Sequence, residues 1–179
     1  FSGVPDSVLK QLSIFLQKKN KNNHIVASNE GAAVSIGIGH HLSTRKIPCI
    51  YMQNSGLSNA FNPLISIANE KVYSIPLILI IGWRGSPHIK DEPQHNAKGK
   101  ITLDLLKLLN IKYTIIRKNS DLIKFNKLIK NAKKNKKIVA CLIERETLEK
   151  NKKKEIKKDF YHLDKELFLK TLLETVKKN

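Results

Sequence analysis

Ile75-Pro76-Leu77-Ile78-Leu79-Ile80-Ile81-Gly82 decides the fold. The apolar residues run on without the alternation of a half-solvated strand, and Pro76 and Gly82 bound them. A strand buried on both faces follows, and such strands belong to parallel sheets covered by helices. Working outward, Ile47 to Met52, Lys112 to Ile116 and Ile138 to Glu144 are further apolar strands, and His24 to Ala27 is a shorter one. Helical patterns lie between them. Val8, Leu9, Leu12, Phe15 and Leu16 recur at helical spacing behind a cap at Asp6 or Ser7. A segment of small residues runs from Ser28 to about Arg45, a helical stretch broken at Asn62-Pro63 follows Gly56, and lysine-rich helix covers Ser120 to about Asn135. Strand and helix alternate, which predicts an α/β fold with a mainly parallel sheet and helices on both faces.

At 179 residues the chain fills one domain. Its two cysteines, Cys49 and Cys141, each sit inside an apolar strand, which points to a reducing, intracellular setting. The longest apolar run is far short of the roughly 18 to 20 residues that cross a bilayer, so no membrane and a cytoplasmic location are expected. The chain opens on Phe1 with a glycine turn directly behind it, as though it began at the end of an element, and it reads as a fragment.

The formal charge of +18 invites a nucleic-acid partner. Its distribution argues otherwise. Residues 117 to 179 carry 20 basic and 9 acidic residues, against 13 and 6 in residues 1 to 116, so the excess is concentrated in the tail. Only four of the cations are arginine, the side chain whose planar fork suits phosphate and base recognition. A solvated lysine face is the expectation, and nucleic acid is not expected as a partner. The lysine-rich stretch from Glu146 to Lys158 reads as a connector, and Leu163, Leu167, Leu169, Leu172, Leu173 and Val176 supply the stripe of a terminal helix. The spacing of histidines, cysteines and carboxylates shows no metal site.

Ligands in open α/β sheets bind at the carboxyl ends of the strands, so the turns there hold the candidates. Glu30 follows a strand at the mouth of the small-residue segment; it is either a functional carboxylate or an acid complementing a helix dipole. Gly3-Val4-Pro5-Asp6-Ser7 is a tight turn with a cap, and Gln53-Asn54-Ser55-Gly56 a second turn that offers donors at a helix entrance. The long polar loop from Gly82 to Lys100 contains Trp83, Arg84, Lys90 and His95, and an arginine between glycines is suited to gripping a doubly charged anion. No Walker or dinucleotide glycine loop is present.

Taken together, GVPDS (Gly3 to Ser7), NEGAAV (Asn29 to Val34), GHHLSTRKIP (Gly39 to Pro48), YMQNSG (Tyr51 to Gly56), NPL (Asn62 to Leu64), IGWRG (Ile81 to Gly85) and DEPQH (Asp91 to His95) resemble the pyrimidine-binding domain of thiamine-diphosphate-dependent 2-oxoacid decarboxylases. The resemblance spans Gly3 to Glu144. It implies the thiamine-diphosphate-binding fold over residues 1–145, with residues 146–179 as a connector and terminal helix leading toward a missing diphosphate-binding domain. It makes Glu30 the catalytic carboxylate that hydrogen-bonds the cofactor's aminopyrimidine ring, with Asn54, Ser55 and Gly56 beside the cofactor. Asp6, Ser7, Gln53, Arg84, Lys90 and His95 are then placed around the substrate.

The family binds the diphosphate through magnesium held by a Gly-Asp-Gly on a second domain, and this sequence has none. The implied cofactors are therefore thiamine diphosphate and Mg2+, the magnesium ligands lying outside this chain on a diphosphate-binding domain or subunit. A homo-oligomer is the expected assembly. The implied substrate is a small anionic 2-oxoacid: WRG and DEPQH tilt toward 3-phosphonopyruvate, with sulfopyruvate as the alternative and a non-catalytic basic binding module as a third possibility.

Overall fold

The structure, a computed structural model, describes residues 1–19, 21–87 and 89–148, together with Leu167, Lys170 and Glu174. Six strands form one sheet: β1 (Ser2–Gly3), β2 (Ile25–Val26), β3 (Cys49–Gln53), β4 (Leu77–Trp83), β5 (Lys112–Ile116) and β6 (Ile138–Glu144). All neighbours are parallel, in the order β2-β1-β3-β4-β6-β5. The deciding run is the central strand β4. Ile80 pairs with Tyr51 on one side and Cys141 on the other, and every residue of β4 is buried.

Alternation along the strands separates two cores. Cys49, Tyr51, Ile78, Ile80, Cys141 and Ile143 face one side, where Leu9 just ahead of α1 (Lys10–Lys19), Leu12 and Leu16 within it, and Phe125 and Ile129 of α5 (Asp121–Asn135) cover them. Ile50, Met52, Leu77, Leu79, Ile81, Ala140 and Leu142 face the other. That side is closed by Val34 and Ile38 of α2 (Glu30–Thr44), Leu57 and Ala60 of α3 (Leu57–Pro63) and Leu106 of α4 (Pro93–Leu108). Helices on both faces of a parallel sheet are what the apolar strands required. Both cysteines are buried and free, and burial pushes the Cys49 thiol up to about 12.

Two elements differ from expectation. The loop after β4 does not extend to Lys100: α4 begins at Pro93, so the irregular stretch ends at Glu92. Proline at the first helical position costs no hydrogen bond, because that N–H has no partner within the helix. The chain also stays helical past Asn62-Pro63. Leu64 N–H donates to the carbonyls of Ala60 and Phe61, and a π-helical turn (Leu64–Ala68) follows directly. The connector and most of the terminal helix expected after Glu146 lie outside the described residues; Leu167, Lys170 and Glu174, which are described, are helical. Among the described residues no helix is long and apolar enough to cross a membrane.

Candidate active site

In this strand order the chain leaves β1 for β2 on one side and returns to β3 on the other, so a topological switch point falls between β1 and β3. The turns named from sequence meet there. Asp6, after β1, is buried; its Oδ2 accepts the N–H groups of Val8 (3.0 Å) and Leu9 (3.2 Å) at the entry of α1, while Oδ1 accepts Gln53 Nε2 at 2.6 Å. Gln53, at the end of β3, in turn accepts Ser55 Oγ at 2.8 Å. One chain of hydrogen bonds therefore spans the switch point and fixes the floor of the crevice.

Glu30 enters this crevice from α2. Asn29 caps that helix, its side chain accepting Ala32 N–H at 2.8 Å, and Glu30 is the first helical residue. The Glu30 carboxylate is half-buried. Its Oε2 accepts Asn59 Nδ2 at 2.9 Å, and Oε1 has no hydrogen-bond partner among the described residues. The carboxylate also lies over Gly56, where a Cβ would stand 2.5 Å from both Cδ and Oε1. Glycine at 56 is thus what leaves room for the carboxylate between α2 and the 3-10 turn at Asn54–Gly56.

The end of β4 is tied to the same turn. Asn54 is 4% exposed, and its amide is fully engaged: Nδ2 donates to the Arg84 carbonyl (3.0 Å) and Thr102 Oγ1 (2.8 Å), and Oδ1 accepts Arg84 N–H (3.1 Å). Arg84 forms a fork with Asp91, Nε to Oδ2 at 2.7 Å and Nη2 to Oδ1 at 2.6 Å. Its remaining Nη1 reaches Ser7 Oγ at 3.2 Å. Asp91 also accepts the N–H groups of Gly85 and Glu92. The fork's hydrogen bonds hold the Asp91 carboxyl far below the usual carboxylate range against the opposing effect of burial, and they raise Arg84. The arginine read from sequence as an anion grip is therefore already neutralised within the chain. Lys90 is exposed and His95 half-buried on the first turns of the shortened loop and α4. Among the described residues no three or more His, Cys, Asp or Glu side chains gather to hold a metal.

The structure thus brings Asp6, Ser7, Gln53, Asn54, Ser55, Gly56 and Arg84 to one end of the sheet with Glu30, and gives most of their polar atoms partners within the chain. Sequence reasoning missed Asn59 and Thr102, and it named Asp91 only within DEPQH, without its fork to Arg84. Asp91 precedes Glu92-Pro93, and proline as a helix-start signal was available to shorten the loop. Nothing local marks Asn59 or Thr102, because their partners are 29 and 48 residues away.

A parallel α/β sheet with a carboxylate set over a glycine beside its switch point defines a domain whose candidate working groups stand on the turns after the strands. The sequence family described as "Thiamine pyrophosphate enzyme, N-terminal TPP binding domain" matches residues 1–108, and the chain belongs to that family. It is 37% identical over 120 residues to phosphonopyruvate decarboxylase of Streptomyces viridochromogenes, covering 67% of this chain and 30% of that protein. It is 34% identical over 112 residues to sulfopyruvate decarboxylase subunit alpha of Methanococcus maripaludis, covering 63% of this chain and 65% of that subunit. The benzoylformate decarboxylase of Polynucleobacter necessarius shares the fold, with a TM-score of 0.58 and 18% identity over 87% of this chain and 30% of that one. The chain thus spans less than a third of the phosphonopyruvate decarboxylase that it matches.

Proposed function

We propose that this chain is the pyrimidine-binding half of a thiamine-diphosphate-dependent decarboxylase that converts 3-phosphonopyruvate to phosphonoacetaldehyde and carbon dioxide. The observation that carries the reading is the Glu30 carboxylate, held by Asn59 through one oxygen and set on Gly56 with the other oxygen unpartnered. Those features fit an aminopyrimidine ring: Oε1 is open to a ring nitrogen, and the turn under it has no side chain to obstruct a flat heterocycle.

Thiamine diphosphate, when bound, supplies the electron sink that loss of carbon dioxide requires. With the cofactor in place, Glu30 would hold and exchange the proton at a ring nitrogen brought to Oε1. Asn59 fixes the orientation of the carboxylate. The Asp6–Gln53–Ser55 chain keeps the crevice floor rigid, so that the geometry around Glu30 is preorganised. The diphosphate and Mg2+ are assigned to a second domain or subunit, in keeping with the lack of a Gly-Asp-Gly in this sequence. The substrate choice is supported by the 37% and 34% identities to phosphonopyruvate decarboxylases, over 120 residues in each case. Sulfopyruvate is the second reading, because sulfopyruvate decarboxylase alpha subunits match as well. Those relatives also favour a partner subunit.

The test is carbon dioxide release from each oxoacid by the complete assembly, this chain with its diphosphate-binding domain or subunit, with both cofactors, for wild type and Glu30→Gln. Turnover of phosphonopyruvate that depends on thiamine diphosphate and magnesium, and falls by orders of magnitude in the variant, is expected. Activity on sulfopyruvate alone would keep the family and replace the substrate. Inactivity on both would favour a non-catalytic module.

A further inference from the structure

A cleft of about 720 Å3 opens between the end of β4, the start of α4 and the end of β6. Neither Glu30 nor Arg84 is among its lining residues. Three cations line it: Lys90 and Lys100, both exposed, and Arg145, whose side chain is 50% exposed. The acids facing them are Asp91, which the Arg84 fork neutralises and whose Oδ1 also lies 4.0 Å from Arg145 Nη1, and the exposed Glu92. The cleft therefore holds surplus positive charge.

Two further features bear on an anion. The 16-residue helix α4 begins at this wall with Pro93 at its start and no acid in its first turn; the exposed Glu92 at its N-cap makes no side-chain capping hydrogen bond and offsets only part of the positive end of its dipole. Ser86, also in the lining, is 4% exposed, and its Oγ has no hydrogen-bond partner among the described residues. A buried hydroxyl without a partner is costly, and a bound acceptor removes the cost.

We propose that this cleft binds a small tetrahedral oxyanion, a phosphonate or phosphate, held by Lys90, Lys100 and Arg145, with the Ser86 hydroxyl, closed off in the free chain, turning out of the wall to donate to it. The volume exceeds what inorganic phosphate fills, so an anion with an organic tail is accommodated. Arg84 acts behind the site by neutralising Asp91, without which the carboxylate would repel the ligand.

Amide NMR of the full chain, titrated at constant ionic strength with inorganic phosphate and separately with methylphosphonate, tests the proposal without any catalysis. Failure to decarboxylate any substrate therefore leaves it standing. Saturable shifts centred on residues 84–100 and Arg145 are expected. Lys100→Gln and Arg145→Gln should each weaken binding by about tenfold, and Ser86→Ala by roughly two- to tenfold. Lys124→Gln, which removes an exposed charge from α5 across the sheet, should not change it. Ser86→Ala should keep or raise the melting temperature of the free chain, since it removes an unpartnered hydroxyl, and lose part of the phosphate-induced rise. Shifts linear in phosphate, or equal weakening by Lys124→Gln and Arg145→Gln, would overturn the site. In the complete assembly, phosphate that competes with the oxoacid, and stops competing in Arg145→Gln, assigns the cleft to the substrate's anionic end. Binding without competition assigns it to a free anion.

Discussion

Gly56 and Glu30 occupy one space: the carboxylate rests where a side chain at position 56 would be, although the two residues are 26 apart and belong to different elements. The carboxylate can be placed there only because the 3-10 turn after β3 presents bare backbone to the first turn of α2.

Gly56→Ala should therefore separate function from folding. The new methyl meets the end of a flexible side chain, so Glu30 moves and the turn stays. A stability loss of about 1 kcal/mol by chemical denaturation is expected, with decarboxylation by the complete assembly reduced nearly as far as in Glu30→Gln. Full activity in Gly56→Ala would show that the observed carboxylate position is not the working one.

Asn54→Ala should be a folding variant. Its amide makes three buried or half-buried bonds that tie the β3 turn to Arg84 and to α4, and their removal leaves the Arg84 N–H and carbonyl with no replacement. The expected loss is about 3 kcal/mol, read from urea unfolding. A loss below about 0.5 kcal/mol would mean that water replaces the amide.

Asp91 makes stability depend on acid. Its folded carboxyl lies well below the ordinary value, chiefly through the Arg84 hydrogen bonds, so its stabilising effect is complete above the unfolded value of about 3.9 and is lost as pH falls toward the folded one. The melting-temperature gap between wild type and Asp91→Asn should be constant at neutral pH and narrow below about pH 4. A gap unchanged through that range would remove the fork as its source.

Cys49 and Cys141 should resist alkylation. Both are buried, and burial raises the thiol of Cys49 to about 12 and that of Cys141 well above its ordinary value, so thiolate is scarce at neutral pH. Iodoacetamide should label neither in the folded chain and both in denaturant. Rapid labelling of either in buffer would show that its strand opens.

Much of the sheet was legible because its strands carry their own signal. Ile138–Glu144 has the bounds that its apolar pattern indicates, since burial on both faces demands hydrophobic residues whatever the neighbours are, and the half-buried edge strand Lys112–Ile116 keeps its expected bounds as well. The start of α4 was read eight residues late, because the polar first turns of Pro93 to Lys100 carry no apolar stripe and only the proline marks them. Glu30 was legible by its place after a strand and before a glycine. Its support was not: Asn59 and the empty space at Gly56 come from a separate helix and turn.

The sequence by itself determined the α/β class, the parallel sheet and the turns on which the working groups stand, because hydrophobic periodicity is a local property that each segment states alone. Only the tertiary structure decided which polar groups are free. Arg84 looked available until Asp91 closed on it, and Asn54 looked like a donor until its amide met Arg84 and Thr102. Ser86, which nothing singled out, proved to be the buried hydroxyl without a partner. A hydrogen bond or a fork needs atoms within about 3 Å, and the order of residues along a chain does not specify which distant atoms the packed sheet will bring that close.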